Sequence, residues 1–443
     1  MRLSFDDIKN HWGNVETYDI INALRNENPE FKDYIPLANA ENVAEVGAAL
    51  LQSKRLQNDF ITALVDRIGL EVIRSASLKN PLSKFKKGTL EYGRQIEEIF
   101  VDIMDEHKFD PEVAETEVFK REQPNVQAIF HEVNREGFFK VTVQDATVKR
   151  AFVSWDKFEE FTSNILASLY NSDEVHEYAY MKLVMENYYA NGLFKVEPIT
   201  APIDVQSSKD FVKRIRLMAR KMTLESGSRD FNAMAVHTRS DMDGLHLFIT
   251  PEIEAEVGVE VLAYAFNMDK TDFMGHVTVI DDFASPGLEA ILVDERWFMV
   301  YDTVFDTENQ RNSQGLYTNY FLHHQQLLSA SRYSNAVAFV SGEVPSVTNV
   351  IVDPLKSSIK AGRDMQFKAY VRQTDDGEYP VTWSVAGVGG AKHASTTINT
   401  DGVLSVHANE TRQLEITATV TFGDGEDPET VKSEARVIVI PND

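Results

Sequence analysis

The hydrophobic pattern changes period in the stretch SGEVPSVTNV, residues 341–350, and that change limits the chain to a two-part fold. Gly342 and Pro345 interrupt an apolar run there. Beyond them, apolar residues alternate with polar ones. Phe367, Ala369 and Val371 form one set, Val381, Trp383 and Val385 a second, and Leu414, Ile416, Ala418 and Val420 a third. Side chains on a strand point alternately to its two faces, so each run offers one face to a core, as in a small antiparallel sandwich. Asp401-Gly402 marks a turn, GDGEDPE at 423–429 reads as a hairpin loop, and ARVIVI at 435–440 reads as a last strand. The expected core residues are Phe367, Trp383, Leu404 and Ile416, with Trp383 as the plug between sheets.

The first 340 or so residues mix α and β. Leu56, Phe60, Leu64 and Ile68 repeat every fourth residue, which predicts one buried helical face closed by Gly69. Two further helices are expected. Trp155, Phe158, Phe161, Ile165 and Leu169 line the first, and Val175, Tyr178, Met181, Val184, Met185 and Tyr188 line the second. Ser172 is the expected N-cap of the second, and Asn191-Gly192 its end. Residues 75–150 read as a long hairpin-like excursion with little core of its own, carrying Lys84, Lys86 and Lys87 on a basic loop. Within it, Phe139, Val141 and Val143 alternate as on a strand.

A formal net charge of -25 argues against a protein whose main work is to wrap nucleic acid. With no cysteine, the chain has no disulfides, cysteine-based zinc sites or thiol nucleophiles. No apolar window is long enough for a membrane helix, and the beginning MRLSFDDIKNHWG does not read as an export signal, so folding in a cytoplasm is expected. The 69 acidic residues make close pairs such as Asp281-Asp282 and Glu97-Glu98 common by chance. His323-His324 would face opposite sides of a strand. RSDMDGLH at 239–246 lacks the glycine and the distal glutamate of a calcium loop. GVGG at 387–390 opens no helix, so it is no phosphate cradle. No catalytic, cofactor-binding or metal site is therefore expected. The helix KDFVKRIRLMARK carries Lys213, Arg214, Arg216, Arg220 and Lys221, a face suited to pairing with a neighbour more than to base stacking.

Long collinear blocks then carry a resemblance. LQNDFITALVDRIGLEVIRSASLKNPLSKFKKG, EVHEYAYMKLVMENYYANGLF, RSDMDGLHLFITPEIEAEVGVEVLAYAFNMDKTDF, GLEAILVDERWFMVYD and RYSNAVAFVSGEVPSVTNVIV resemble the major capsid proteins of phi-29-like short-tailed Bacillus phages. The tail is similar to a bacterial immunoglobulin-like domain of group two. The resemblance implies an α+β Hong-Kong-97-like capsid core over 1–343 and the immunoglobulin-like sandwich over 344–443. Within the core it implies an extended loop at 75–150, a peripheral domain from 151–191 and 288–343, and an axial domain at 192–287. It also implies pentamers and hexamers of the chain itself, a scaffolding protein, a portal or connector, head fibres and non-specific contact with packaged DNA. The implied setting is a virion capsid assembled in the host cytoplasm, with no membrane and no cofactor.

Lys84, Lys86, Lys87 and Arg94 are the candidate inter-subunit contacts, because basic groups in so acidic a chain complement other copies of it. The linker at 341–350 is expected to isolate the sandwich from the core. The alternative is a secreted carbohydrate-active enzyme or adhesin that uses the sandwich as an accessory module.

Overall fold

The computed structural model describes residues 79–90, 93–104, 126–144, 155–224, 229–257, 276–423 and 428–441, with parts of 18–60. Short helices α1 (Pro29–Tyr34) and α2 (Val43–Gln52) come first. Phe60, on the face expected between Leu56 and Ile68, is buried; residues 61–78 lie outside the described residues. The chain divides into two compact units. One comprises Met1–Ile96, His131–Lys182 and Val300–Leu328; the other comprises Glu97–Phe130, Leu183–Met299 and Ser329–Asp443.

Helix α3 (Trp155–Ala190) replaces the two helices expected here. Its 36 residues run for about 54 Å at 1.5 Å each. Nothing between 155 and 190 is Gly or Pro, so Asn171-Ser172-Asp173 is too weak a break to end it. The buried stripe is Leu169, Asp173, Glu177, Met181, Met185 and Tyr188, while Val175 is exposed. Two acids thus occupy the inward face that was read as purely apolar. The side chains of Trp155, Phe158, Phe161 and Ile165 lie outside the described residues. The helix ends as expected. The amide of Leu193 donates to Tyr188 and that of Gly192 to Tyr189, and Gly192 takes φ +63°, a left-handed turn that satisfies the last carbonyls.

The first unit contains most of a four-stranded sheet in the order β1 (Lys86–Thr89), β9 (Phe298–Asn312), β10 (Tyr317–Ala330), β4 (Arg135–Gln144). β1 runs parallel to β9, and β4 pairs antiparallel with β10 from Tyr317↔Gln144 to Gln326↔Arg135. Phe139, Val141 and Val143 face inward on β4, as their alternation predicts. Among the described residues, β2 (Gln95–Val101) and β3 (Val126–Glu132) pair apart from that sheet as a two-stranded ribbon.

The second unit holds a five-stranded sheet in the order β5 (Lys195–Ile199), β11 (Ala336–Ser341), β8 (Leu288–Asp294), β6 (Leu245–Ile249), β7 (Val277–Val279). Helix α4 (Val205–Met222) packs Phe211, Ile215, Met218 and Met222 against it and keeps its basic residues outside. Asp204 caps α4, accepting from the Ser207 amide while the Ser207 hydroxyl accepts from the Asp204 amide, a reciprocal capping box. RSDMDGLH forms a single 3-10 turn, Met242–Gly244, leading into β6.

The all-β tail begins at β12 (Val347–Asp353), which pairs with β15 (Lys368–Gln373). A four-stranded sheet follows the order β13 (Lys356–Lys360), β20 (Glu429–Ile440), β19 (Leu414–Phe422), β16 (Val381–Gly387). A three-stranded sheet joins β14 (Asp364–Gln366), β18 (Val403–Ser405) and β17 (Thr397–Ile398). Phe367, Leu404 and Ile416 sit at the centre of its apolar core. Trp383 only partly joins that core; Phe367 is the fully buried large ring. Gly402 has φ +79°, and a Cβ there would meet the Phe367 carbonyl at 2.5 Å and the Trp383 ring at 3.2 Å, so the turn requires glycine.

The sandwich is seated on the rest of its unit, contrary to the isolating linker expected. Arg372 is buried and donates to the carbonyls of Arg229 (3.0 Å) and Asn232. Asn349 donates to Gly192 at 2.9 Å, and Lys195 to the Gln373 carbonyl at 3.3 Å. The pattern of alternating apolar residues does not register these contacts, because they come from polar side chains on the strands.

Candidate functional site

Two features stand out: a buried ion-pair network in the first unit and a two-faced ribbon in the second. The network lies where α3 meets β1, β4, β9 and β10. Asp173 on α3 receives the Arg135 guanidinium at 2.6 Å and His324 Nδ1 at 2.8 Å. His324 Nε2 lies 3.1 Å from Asp302. Lys86 Nζ bridges Glu177 Oε1 and Asp302 Oδ2, each at 2.8 Å. Gln326 accepts from Arg135 and donates to both Glu177 and Asp302. Asn80 donates its side-chain amide to Glu177 and its backbone amide to Glu174, both at 2.8 Å.

Both ring nitrogens of His324 face carboxylate oxygens, so both donate and the ring is an imidazolium. Burial pulls its pKa down, but the bonds to Asp173 and Asp302 outweigh that and raise it. Burial likewise pushes Asp173 and Asp302 up, yet His324 with Arg135, and His324 with Lys86, hold them below the usual carboxylate range. Burial would also lower Lys86, but Glu177 and Asp302 raise it. Lys86, Arg135 and His324 therefore lie against the carboxylates of Asp173, Glu177 and Asp302 inside the first unit, with half-buried Glu174 at the network's edge. Such an arrangement specifies which strand meets which face of the helix, because a slipped register would strand a charge.

Among the described residues, Glu177, Asp302 and His324 bring ligand-type atoms within 4.8 Å of one another, a grouping that could hold a metal ion. The Lys86 ammonium already lies against two of the three, so the cation there is a side chain.

The ribbon alternates between two environments. Glu98 and Phe100 on β2, buried Asp102 just beyond its end, and Gln127 and Ile129 on β3 turn inward within the second unit. Ile99, Val101, Val126 and Phe130 turn outward, and each is more than half exposed. A row of exposed large apolar side chains on a two-stranded ribbon has the composition of a docking surface.

The candidate contacts occupy a different place from the one expected. Lys84 lies in a 3-10 turn, and Lys86 and Lys87 open β1, the edge strand of the four-stranded sheet. Lys86 is committed to the internal network. Lys84 lies 5.3 Å from the centre of the Phe85 ring, and burial lowers its pKa. Lys87 is exposed. Arg94 is exposed and pairs with Glu136. The network itself went unread in the sequence, since Arg135, Asp173 and His324 are far apart along the chain.

The fold is that of a phage shell subunit. A capsid protein of Staphylococcus phage Andhra aligns with a TM-score of 0.51 at 13% identity, covering 60% of this chain and 85% of that one. With its long helix, mixed sheet and two-stranded ribbon, the chain has a Hong-Kong-97-like capsid fold followed by an immunoglobulin-like sandwich. The family model for the Phi29-like phage major capsid protein matches residues 21–340, and the chain belongs to that family. It is 55% identical over 445 residues to the major capsid protein of Bacillus phage B103, covering 100% of this chain and 98% of that one. It is 47% identical to the major capsid protein of Bacillus phage GA-1, covering 100% and 96%. The protein is thus a major capsid protein and a component of the virion. The full-length similarity gives no support to the secreted enzyme or adhesin alternative.

Proposed function

We propose that this chain builds its shell as pentamers and hexamers in which the outward face of the β2–β3 ribbon lies on a neighbouring copy. Ile99, Val101, Val126 and Phe130 carry this reading, because a chain of charge -25 has every other reason to keep such side chains from water. Arg94, which precedes β2 and pairs with Glu136, and exposed Lys87 on β1 are the basic groups proposed to meet the acidic surface of another copy. A scaffolding protein, a portal or connector and head fibres complete the set of partners, and packaged DNA is enclosed with non-specific contact only. The chain acts structurally and catalyses no reaction. Residues 1–343 form the shell-building core and 344–443 the sandwich, a division supported by the family match over 21–340.

Substituting Ile99→Asp together with Phe130→Asp tests the contact. The double variant, co-expressed with scaffolding protein, is expected to give folded subunits and no closed shells by negative-stain microscopy. Shells of normal yield and size would remove the ribbon from the account.

A further inference from the structure

The inward face of the ribbon, its neighbouring loop and the sandwich share one seat, all within the second unit. Phe100 stacks on Tyr333 with ring centres 5.3 Å apart and planes at 21°. Phe100 and Ile129 from the ribbon, and Leu355 from the sandwich, pack around Met234, Val236 and Tyr333. Gln127 of the ribbon donates to Asp353 of the sandwich at 3.3 Å. At the centre is Arg229. Its guanidinium donates to buried Asp102 just beyond β2 (3.1 Å), to His237 Nε2 (2.7 Å), to the Ala235 carbonyl (3.1 Å) and to the Tyr370 hydroxyl on β15 (3.0 Å). It also lies 5.4 Å from the Tyr370 ring centre. One rigid fork thus holds the ribbon's end, the 235–237 loop and a sandwich strand together, and a point-charge lysine has too few donors in the right plane to do the same.

A two-stranded ribbon is marginal in water without packing on one face. Here the packing comes partly from a domain more than two hundred residues away in sequence. We infer that the C-terminal sandwich is a brace for the β2–β3 ribbon, with Arg229 as the joint that fixes how the ribbon sits on the sandwich in the free subunit. This gives the sandwich a role inside the molecule. The brace is a property of the single chain; its consequence for shell assembly rests on the ribbon being an inter-subunit contact, as proposed above.

Hydrogen exchange on full-length subunits tests it, with Tyr370→Phe plus Leu355→Ala loosening the seat from the sandwich side only. Neither change touches the ribbon's own sequence. Amides of 97–101 and 126–130 are expected to exchange roughly tenfold faster, the ratio that loss of about 1.4 kcal/mol of local stability gives. Amides of β19 and β20 should stay protected, which verifies that the sandwich is folded. Arg229→Lys should give the same ribbon-selective rise, since retaining the charge does not restore the fork. Unchanged ribbon exchange in both variants, with β19 and β20 protected, overturns the brace. Faster ribbon exchange with normal shells keeps the brace and shows that assembly does not depend on it.

Discussion

The sandwich core and the interior of the first unit solve the same problem in opposite ways. In the sandwich, Phe367, Leu404, Ile416, Ala418 and Val437 form an apolar cluster, and the buried Glu410 and Arg372 of the same domain are held by hydrogen bonds, Glu410 to Thr396 and Arg372 to the Arg229 carbonyl. Behind α3, the corresponding space holds Arg135, Asp173, Glu177, His324 and Lys86. An apolar core accepts many packings of the right volume, whereas paired buried charges tolerate few, since any mismatch leaves a charge without its partner. The difference separates two demands. The sandwich needs cohesion, and the long helix needs a single register against β4, β9 and β10.

The largest effect should come from breaking that register device. Asp173→Ala leaves Arg135 and His324 buried without their anion, and a loss of about 3–5 kcal/mol is expected. Hydrogen exchange should show lost protection in α3 and β10 while β19 and β20 keep theirs; equal losses in both regions would erase the contrast drawn above. Leu404→Ala is the counterpart in the sandwich, where a cavity in a dry core should cost about 2–5 kcal/mol by denaturant titration. Its effect should be independent of pH, unlike that of Asp173→Ala.

The pH profile sharpens the comparison further. The raised pKa of His324 means that its contribution is complete below about pH 6.5, the unfolded imidazole value, and is lost as pH rises through the higher folded value. Asp173 and Asp302 are depressed, so theirs is present above about pH 3.9 and is lost as pH falls through the lower folded values. The first unit should therefore loosen on the alkaline side while the sandwich core does not, read by exchange at matched chemical rates. His324→Gln should abolish the alkaline loosening. The smallest change in subunit stability is expected from Lys84→Glu with Lys87→Glu, within about 0.5 kcal/mol by thermal or denaturant unfolding. Shell yield from that pair is expected to fall, which separates folding from assembly.

What the sequence could say follows from the same contrast. Leu414, Ile416, Ala418 and Val420 announce their strand because a local period of two suffices to define an apolar face. Asp173 and Glu177 lie in an equally regular four-residue stripe, yet acids in a stripe read as solvent-facing until their partners are known. Those partners, Arg135, His324 and Lys86, are brought in by sheet pairing that no local pattern encodes. Lys86 shows the same limit, since its half-buried ammonium bridges two carboxylates from within a run whose local pattern reads as a loop. Trp383 was the natural choice for a core plug by size; Phe367 is the more deeply buried ring. The seat of the sandwich was hidden because Arg229 and Arg372, which hold it, are residues that usually point to water. The shell function was legible in long collinear resemblance, while the surfaces that realise it required coordinates.

The outward row of Ile99, Val101, Val126 and Phe130 also sets a clock on the free subunit. An uncovered apolar strip on a strand pair invites clumping wherever many copies of the chain show the same strip at once. The surplus of negative charge slows such encounters by keeping like molecules apart. Between repulsion that disperses and a strip that adheres, the subunit has a limited shelf life in solution, and productive growth must capture it sooner than aggregation does.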